Sequence, residues 1–212
     1  MLDKSIQYKH IIMRLDNNVF ESAPELPPGF SFKFFSVSDV CHWARIETSV
    51  LEFDTVEKAE EFFKAAFLPY KDDLPERCLF VLNPEGLPIA TANAWYTDSK
   101  KGRRALVHWV SVCPEYQGLG IGKALTKKVL SVLYSLDKDK PVWLHTQTWS
   151  HTAIRLYHSL GFNMVQKERL IELNTANGKP LLYKNEYNDA IEVLKAVYSE
   201  SYIEQLIRSS VQ

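Results

Sequence analysis

The sequence predicts an α/β chain built on one mixed, mostly antiparallel and twisted sheet with helices on its flanks. Three observations carry that prediction. Segments with strand and helix periodicity alternate along the chain, and neither type falls into a separate block. An antiparallel hairpin can be read from Cys78–Leu82 and Ile89–Tyr96 around the turn residues Asn83, Pro84, Glu85 and Gly86. A strand of buried type, Ala105–Val112, runs into a glycine-dense turn and then a helix over Lys123–Tyr134, where Ala124, Leu125, Val129, Val132 and Leu133 recur at helical spacing.

The elements follow in order. Tyr8–Leu15 is a candidate first strand, and Asn17–Gly29, with three prolines and a terminal glycine, is a loop. Phe30–Val37 alternates aromatic and polar residues as a strand does. Ser38 and Asp39 cap a helix reaching Val50; Asp54 and Thr55 open a second, with Glu57 in its first turn, running to Phe67. Pro69 and Pro75 bracket a loop, the hairpin follows, and Thr97–Arg104 is a polar loop before the key strand. Beyond the glycine turn and its helix, Pro141–Gln147 is a strand, and His151–Leu160 is a helix stopped by Gly161. Phe162–Leu173 and Lys179–Tyr187 are strands about an Asn177-Gly178 turn. From Asn188 the apolar residues return to helical spacing. With no repeat and no shift of composition, residues 1–212 read as one domain: a core of about 30–187, an N-terminal strand-and-loop extension 1–29 and a helical tail 188–212.

Composition narrows the function classes. A chain of 212 residues with 46% hydrophobic content can bury a substantial core. Twenty-five basic against 26 acidic residues argue against a dedicated nucleic-acid binder. Cys41, Cys78 and Cys113 are an odd, scattered set without metal-ligand spacing, as in a reducing compartment, so no metal is expected. No signal-type apolar core opens the chain and no 18 apolar residues run together, which predicts a cytoplasmic protein with no membrane partner. Monomer and homodimer are both open, since the tail helix can cover its own core or a partner's.

Residues 112–123, Val-Cys-Pro-Glu-Tyr-Gln-Gly-Leu-Gly-Ile-Gly-Lys, carry the chemistry. Glycines let backbone approach a ligand closely, and the unpaired amides at a helix start attract phosphate. The glycine spacing matches neither the dinucleotide fingerprint nor the nucleotide-hydrolase phosphate loop. It matches Q-x-x-G-x-G through Gln117, Gly120 and Gly122, which resembles the coenzyme A signature of the GCN5-related N-acetyltransferase (GNAT) superfamily. A second block, Ala153–Phe162, is similar to that family's A-x-x-L-Y-x-x-x-G-F element. The close resemblance covers about residues 107–162; the flanks agree in their order of elements.

The resemblance implies the acyl-coenzyme A N-acyltransferase fold. It implies transfer of an acetyl group from acetyl-coenzyme A to a small-molecule primary amine, directly and within a ternary complex. His108–Val112 is similar to the corresponding strand of mycothiol-synthase-like members, which favours a small acceptor. The rivals are acetylation of a protein lysine or N-terminus, and a catalytically silent coenzyme A sensor. By the same resemblance, Val110 and Val112 offer backbone groups to the pantetheine arm as an added strand would. Gln117, Gly118, Gly120, Gly122 and Lys123 surround the pyrophosphate. Two positions depart from the family: Gln117 replaces a frequent arginine, and Ser150 a frequent asparagine at a coenzyme contact.

Acyl transfer to an amine requires a base for the nucleophile and an acid for the leaving thiolate. Tyr157 takes the place of the family's frequent general acid. Leu106 occupies the position of the glutamate base of histone-acetylating relatives, and His108 that of a histidine in serotonin-acetylating ones, so His108 is the candidate base. Strand alternation puts Leu106, His108 and Val110 on one face and Val107, Trp109 and Ser111 on the other. Glu47, on the first helix, reads as a solvated-face residue, Cys113 as a packing residue, and His145 and His151 as structural or surface groups.

Overall fold

The computed structural model describes residues 2–17, 24–99, 102–137, 141–173 and 180–212. The chain opens with strand β1 (His10–Leu15) and then β2 (Ser31–Phe34). Helices α1 (Val40–Ser49), α2 (Val56–Ala66) and the short α3 (Leu74–Arg77) precede three antiparallel strands, β3 (Cys78–Leu82), β4 (Pro88–Ser99) and β5 (Gly102–Val112). Helix α4 (Ile121–Asp137), strand β6 (Val142–Gln147), helix α5 (His151–Ser159) and strand β7 (Asn163–Met164) complete the main body. A two-stranded ribbon, β8 (Leu170–Leu173) with β9 (Pro180–Tyr183), leads to α6 (Tyr187–Leu194) and α7 (Glu200–Ser209).

Seven strands form one sheet in the order β2-β3-β4-β5-β6-β1-β7. Every pairing is antiparallel except β5 with β6. Alternation loads both faces. Ile11, Met13, Leu79, Val81, Ala105 and Val107 pack toward α4, α5, α6 and α7; Ile12, Cys78, Phe80, Trp95 and Leu106 pack toward α1 and α2. On the second face Trp43, Phe53, Phe62, Phe63, Phe67 and Trp109 join in a continuous aromatic cluster. Trp43, Phe63 and Phe67 are buried within it, so this cluster belongs to the core.

Three local departures have simple causes. Pro69 and Pro75 do not bracket an open loop. They stand in the first turns of a 3-10 turn (Leu68–Tyr70) and of α3, where proline forfeits no helical hydrogen bond. Residues 97–99 and 102–104, expected as loop, prolong the β4–β5 ladder. A 3-10 turn, Val37–Asp39, leads into α1: Ser36 caps that turn, its amide donating to the Asp39 carboxylate at 2.7 Å, while Asp39 holds the N-cap position of α1 itself without a side-chain bond to the helix. The Asn177-Gly178 turn lies outside the described residues.

Candidate active site

Strands β5 and β6 pair only at Ala105 with Val142 and Leu106 with Trp143. Beyond those two rungs they diverge, and the gap becomes a cleft. Its β5 wall is distorted: Thr91 pairs with Ser111 and Asn93 with His108, so β5 carries one residue more than β4 across this stretch. The extra residue makes a β-bulge, with Trp109 at φ +49°. The bulge breaks the alternation expected for this strand. His108, Trp109, Ser111 and Cys113 turn toward α1 and α2, whereas Val107, Val110 and Val112 turn toward α4. Neither Trp109 nor Val110 has a register partner on β4.

Two cavities occupy the cleft. The first, of about 340 Å³, is bordered by Val110, Val112, Gln117, Gly118, Gly120, Gly122, Lys123 and Ser150, together with Tyr157. All eight predicted coenzyme-contact residues thus converge on one space. Gly118 and Gly120 hold φ of +82° and +80°, which side chains disfavour, and nothing lies within 4 Å of where a Cβ would stand. The first backbone bond of the following turn runs from the Ala124 amide to the Gly120 carbonyl at 3.0 Å. The amides of Ile121, Gly122 and Lys123, ahead of it, have no carbonyl within the helix to bond. They make an anion seat next to Lys123. The Gln117 side-chain amide donates to the Val112 carbonyl at 2.8 Å, bracing the loop. A diphosphate-bearing ligand with an extended arm fits this arrangement: amides and a lysine at one end, an unpaired strand edge along the side.

The second cavity, of about 300 Å³, continues past the strand edge. His108, Trp109, His145, Trp149, Tyr183, Tyr8, Lys4 and Glu52 are among its walls. Val110, Ser111, Ser150, Ala153 and Tyr157 border both spaces. Tyr157 stands at their junction, its ring buried edge-on to Phe162 at 6.0 Å. Its hydroxyl bonds no described residue, so it is not tied to a core carbonyl. Burial, and then the neighbouring Glu47 charge, raise the phenol above its usual range.

Glu47 corrects the expectation of a solvated face. It is completely buried, and Ser111 Oγ donates to its Oε2 at 2.9 Å, while Oε1 has no hydrogen-bond partner among the described residues. Burial drives its carboxyl well above the usual range, opposed in part by the Ser111 bond. The only sequence signal for this was its spacing from Trp43 and Ile46 on the inner side of α1. His145 also lies at the cleft, stacked on Tyr183 with ring centroids 3.6 Å apart and 2.9 Å from His10 Nδ1. Cys113 is buried behind α1, 3.6 Å from Ser49 Oγ, and borders neither cavity. Among the described residues no three or more His, Cys, Asp or Glu side chains converge as metal ligands, and no helix is long and apolar enough to cross a membrane.

The model of the acetyltransferase (GNAT) family matches residues 39–162. The spermine/spermidine N(1)-acetyltransferase of Bacillus subtilis is 30% identical over 125 residues, 57% of this chain and 76% of that protein. The mycothiol acetyltransferase of Acidothermus cellulolyticus is 40% identical over 75 residues, 34% of this chain and 22% of that one. Among solved structures, a GCN5-related N-acetyltransferase from Sphaerobacter thermophilus superposes with a TM-score of 0.58 at 21% identity. The superposition covers 75% of this chain and about half (49%) of that one, so it speaks for the fold alone.

Proposed function

The chain belongs to the acetyltransferase (GNAT) family, and from that premise we propose that it acetylates a primary amine of a small molecule, with acetyl-coenzyme A as donor and both substrates bound together. The observation that carries this reading is the pair of cavities meeting at Tyr157. One has the backbone of an anion cradle; the other has a histidine, a carboxylate and aromatic walls. That a relative is named for spermine and spermidine supports polyamines as the first acceptors to try.

Acetyl-coenzyme A, which this family uses, supplies an acetyl group activated as a thioester. The chain's residues do the rest. Gly118, Gly120, Gly122, Gln117 and Lys123 hold the pyrophosphate, Val110 and Val112 align the pantetheine arm, and Ser150 flanks it where the cavities join. His108, on the acceptor side, takes a proton from the ammonium so that the nitrogen lone pair is available. Tyr157, a phenol that is protonated at neutral pH in any case and that burial shifts further upward, holds a proton ready for the departing sulfur.

Thiol release from acetyl-coenzyme A, measured across polyamines, amino acids, aminoglycosides and lysine peptides, tests the reading. Turnover is expected with small polyamines. Turnover with peptides alone would transfer the assignment to protein acetylation, and binding of coenzyme A without turnover of any amine would make the fold a sensor. Tyr157→Phe should lower kcat by about a hundredfold or more, leaving KM for acetyl-coenzyme A within a few-fold.

A further inference from the structure

Helix α1 ends in a way its sequence does not advertise. The Glu52 amide returns to the Glu47 carbonyl at 3.1 Å and the Leu51 amide to Thr48 at 3.0 Å, a closing motif that places Leu51 at φ +70°. Glycine ordinarily fills that position; a half-exposed leucine there is a strained choice. The turn carries Glu52 to the wall shared by both cavities. It also brings Leu51, whose carbonyl stands at the negative end of the helix, to the wall of the acceptor cavity.

A cation already stands there. Lys4 Nζ donates to the Leu51 carbonyl at 3.2 Å and lies over the Trp149 ring, 5.5 Å from its centroid. The segment bearing it is laced to the cleft: the Asp3 amide donates to the Trp149 carbonyl at 2.8 Å, and Trp149 Nε1 to the Ile6 carbonyl at 2.8 Å. Glu52 meets solvent through the cavity yet is crowded by protein, which raises its carboxyl, and the Lys4 charge counteracts that. The Leu51 carbonyl and an indole face therefore meet one ammonium directly, and the Glu52 carboxylate, on the same wall, acts on it through its charge.

We propose that the Leu51 carbonyl, Glu52 and Trp149 form a second ammonium subsite, occupied by Lys4 in the unliganded protein and by the distal charged nitrogen of a di- or polyamine when it binds. This rests on the acceptor cavity proposed above and adds what that cavity selects: acceptors with two cationic nitrogens. Lys4 is then a tethered competitor. Its release costs apparent affinity, so a diamine binds more weakly than its contacts allow until Lys4 is removed.

The test separates binding from transfer. Tryptophan fluorescence is titrated with 1,4-diaminobutane and with butylamine in the absence of any acetyl donor, for the full chain and for Lys4→Ala, Lys4→Met and Glu52→Gln, each checked for folding by circular dichroism. The diamine should bind about tenfold or more tightly than the monoamine, the scale of a cation over an indole with a nearby carboxylate. Either Lys4 substitution should tighten diamine binding several-fold, and Glu52→Gln should narrow the diamine-to-monoamine ratio. Equal dissociation constants for the two amines, or weaker diamine binding in both Lys4 variants, would overturn the subsite. The ratio of kcat/KM for the same two amines completes the design. A diamine preference in binding with turnover of neither amine keeps the subsite and sinks the transferase reading; turnover of both with no preference in binding does the reverse.

Discussion

Glu47 joins burial to chemistry at the scale of one side chain. Its carboxyl is enclosed between α1 and β5 with a single donor, Ser111, so ionising it in place is costly. In the unfolded chain the same group ionises above about pH 4–5. Between that point and its raised folded value, the folded chain holds the extra proton, and stability falls as pH rises, at up to about 1.4 kcal/mol per pH unit. Glu47→Gln, which mimics the protonated acid, should remove this slope. Denaturation midpoints of the two proteins are expected to coincide near pH 4 and to separate toward pH 7, with the variant the more stable. Parallel curves would mean that the carboxylate is stabilised in place by something the geometry does not reveal. The sequence exposed the type of this residue but not its burial, because a helix of mixed polarity offers several plausible inner faces. Trp109 was hidden for a different reason. A left-handed φ usually announces itself with glycine or asparagine, and a tryptophan there depends on the surrounding aromatic cluster.

At the scale of elements, the start of α4 shows what glycine spacing can and cannot say. Two of its glycines serve the ligand side: at Gly120 a methyl group would project into empty cavity, with strain of ~1–2 kcal/mol as the only internal penalty. Gly122 gives its amide to the same cradle but is also packed on its other side: a Cβ there would meet Leu156 at 3.4 Å and Val112 at 3.6 Å, ordinary contact that the extra carbons of a branched side chain would overfill. The two substitutions should part company. Gly120→Ala is expected to fold and to raise KM for acetyl-coenzyme A by about tenfold or more, as the amides lose close approach to the anion. Gly122→Val should instead lower the melting temperature first. Calorimetric titration with coenzyme A alongside thermal melts distinguishes them; normal coenzyme binding by folded Gly120→Ala would remove the cradle from the argument. This turn and the α5 block were legible because they are local, with backbone conformation and residue type tied within a few positions. The bulge in β5, the extension of β4 and β5 past Thr97, and the proline-started turns near Leu68 and Leu74 were not. Each depends on what a neighbouring strand or helix contributes, which periodicity along one segment does not contain.

Across the whole molecule, the cleft exists because one parallel pairing is cut short in an otherwise antiparallel sheet. β1, drawn from the N-terminal extension, pairs with β6 along all six residues and also with β7, so β6 is fixed on its far side while its near side leaves β5. The C-terminal tail secures the other wall. Ala190, Ile191, Leu194, Tyr198, Ile203 and Leu206 are buried in the same cluster as Leu125, Ile154 and Tyr157, and the Tyr198 hydroxyl donates to the His151 carbonyl at the start of α5. His158 bridges from α5 to Tyr202 and Ser209 of α7 at 3.1 and 3.2 Å. The tail therefore covers the core that presents Tyr157, and residues at both ends of the chain are proposed to unfold with the sheet as one unit. Leu206, completely buried in α7, is the place to ask. Leu206→Ala should cost about 2–5 kcal/mol. If the cluster is one cooperative body, that loss appears as a shifted midpoint of a single urea transition, at unchanged slope, whether followed by tryptophan fluorescence or by far-ultraviolet circular dichroism. A tail that merely rests on the sheet would give a separate early transition, with the fluorescence of Trp43 and Trp143 on the opposite face left where it was. The single transition is expected because the buried residues of α7, Ile203 and Leu206, pack into the same cluster that anchors α4, α5 and the first strand.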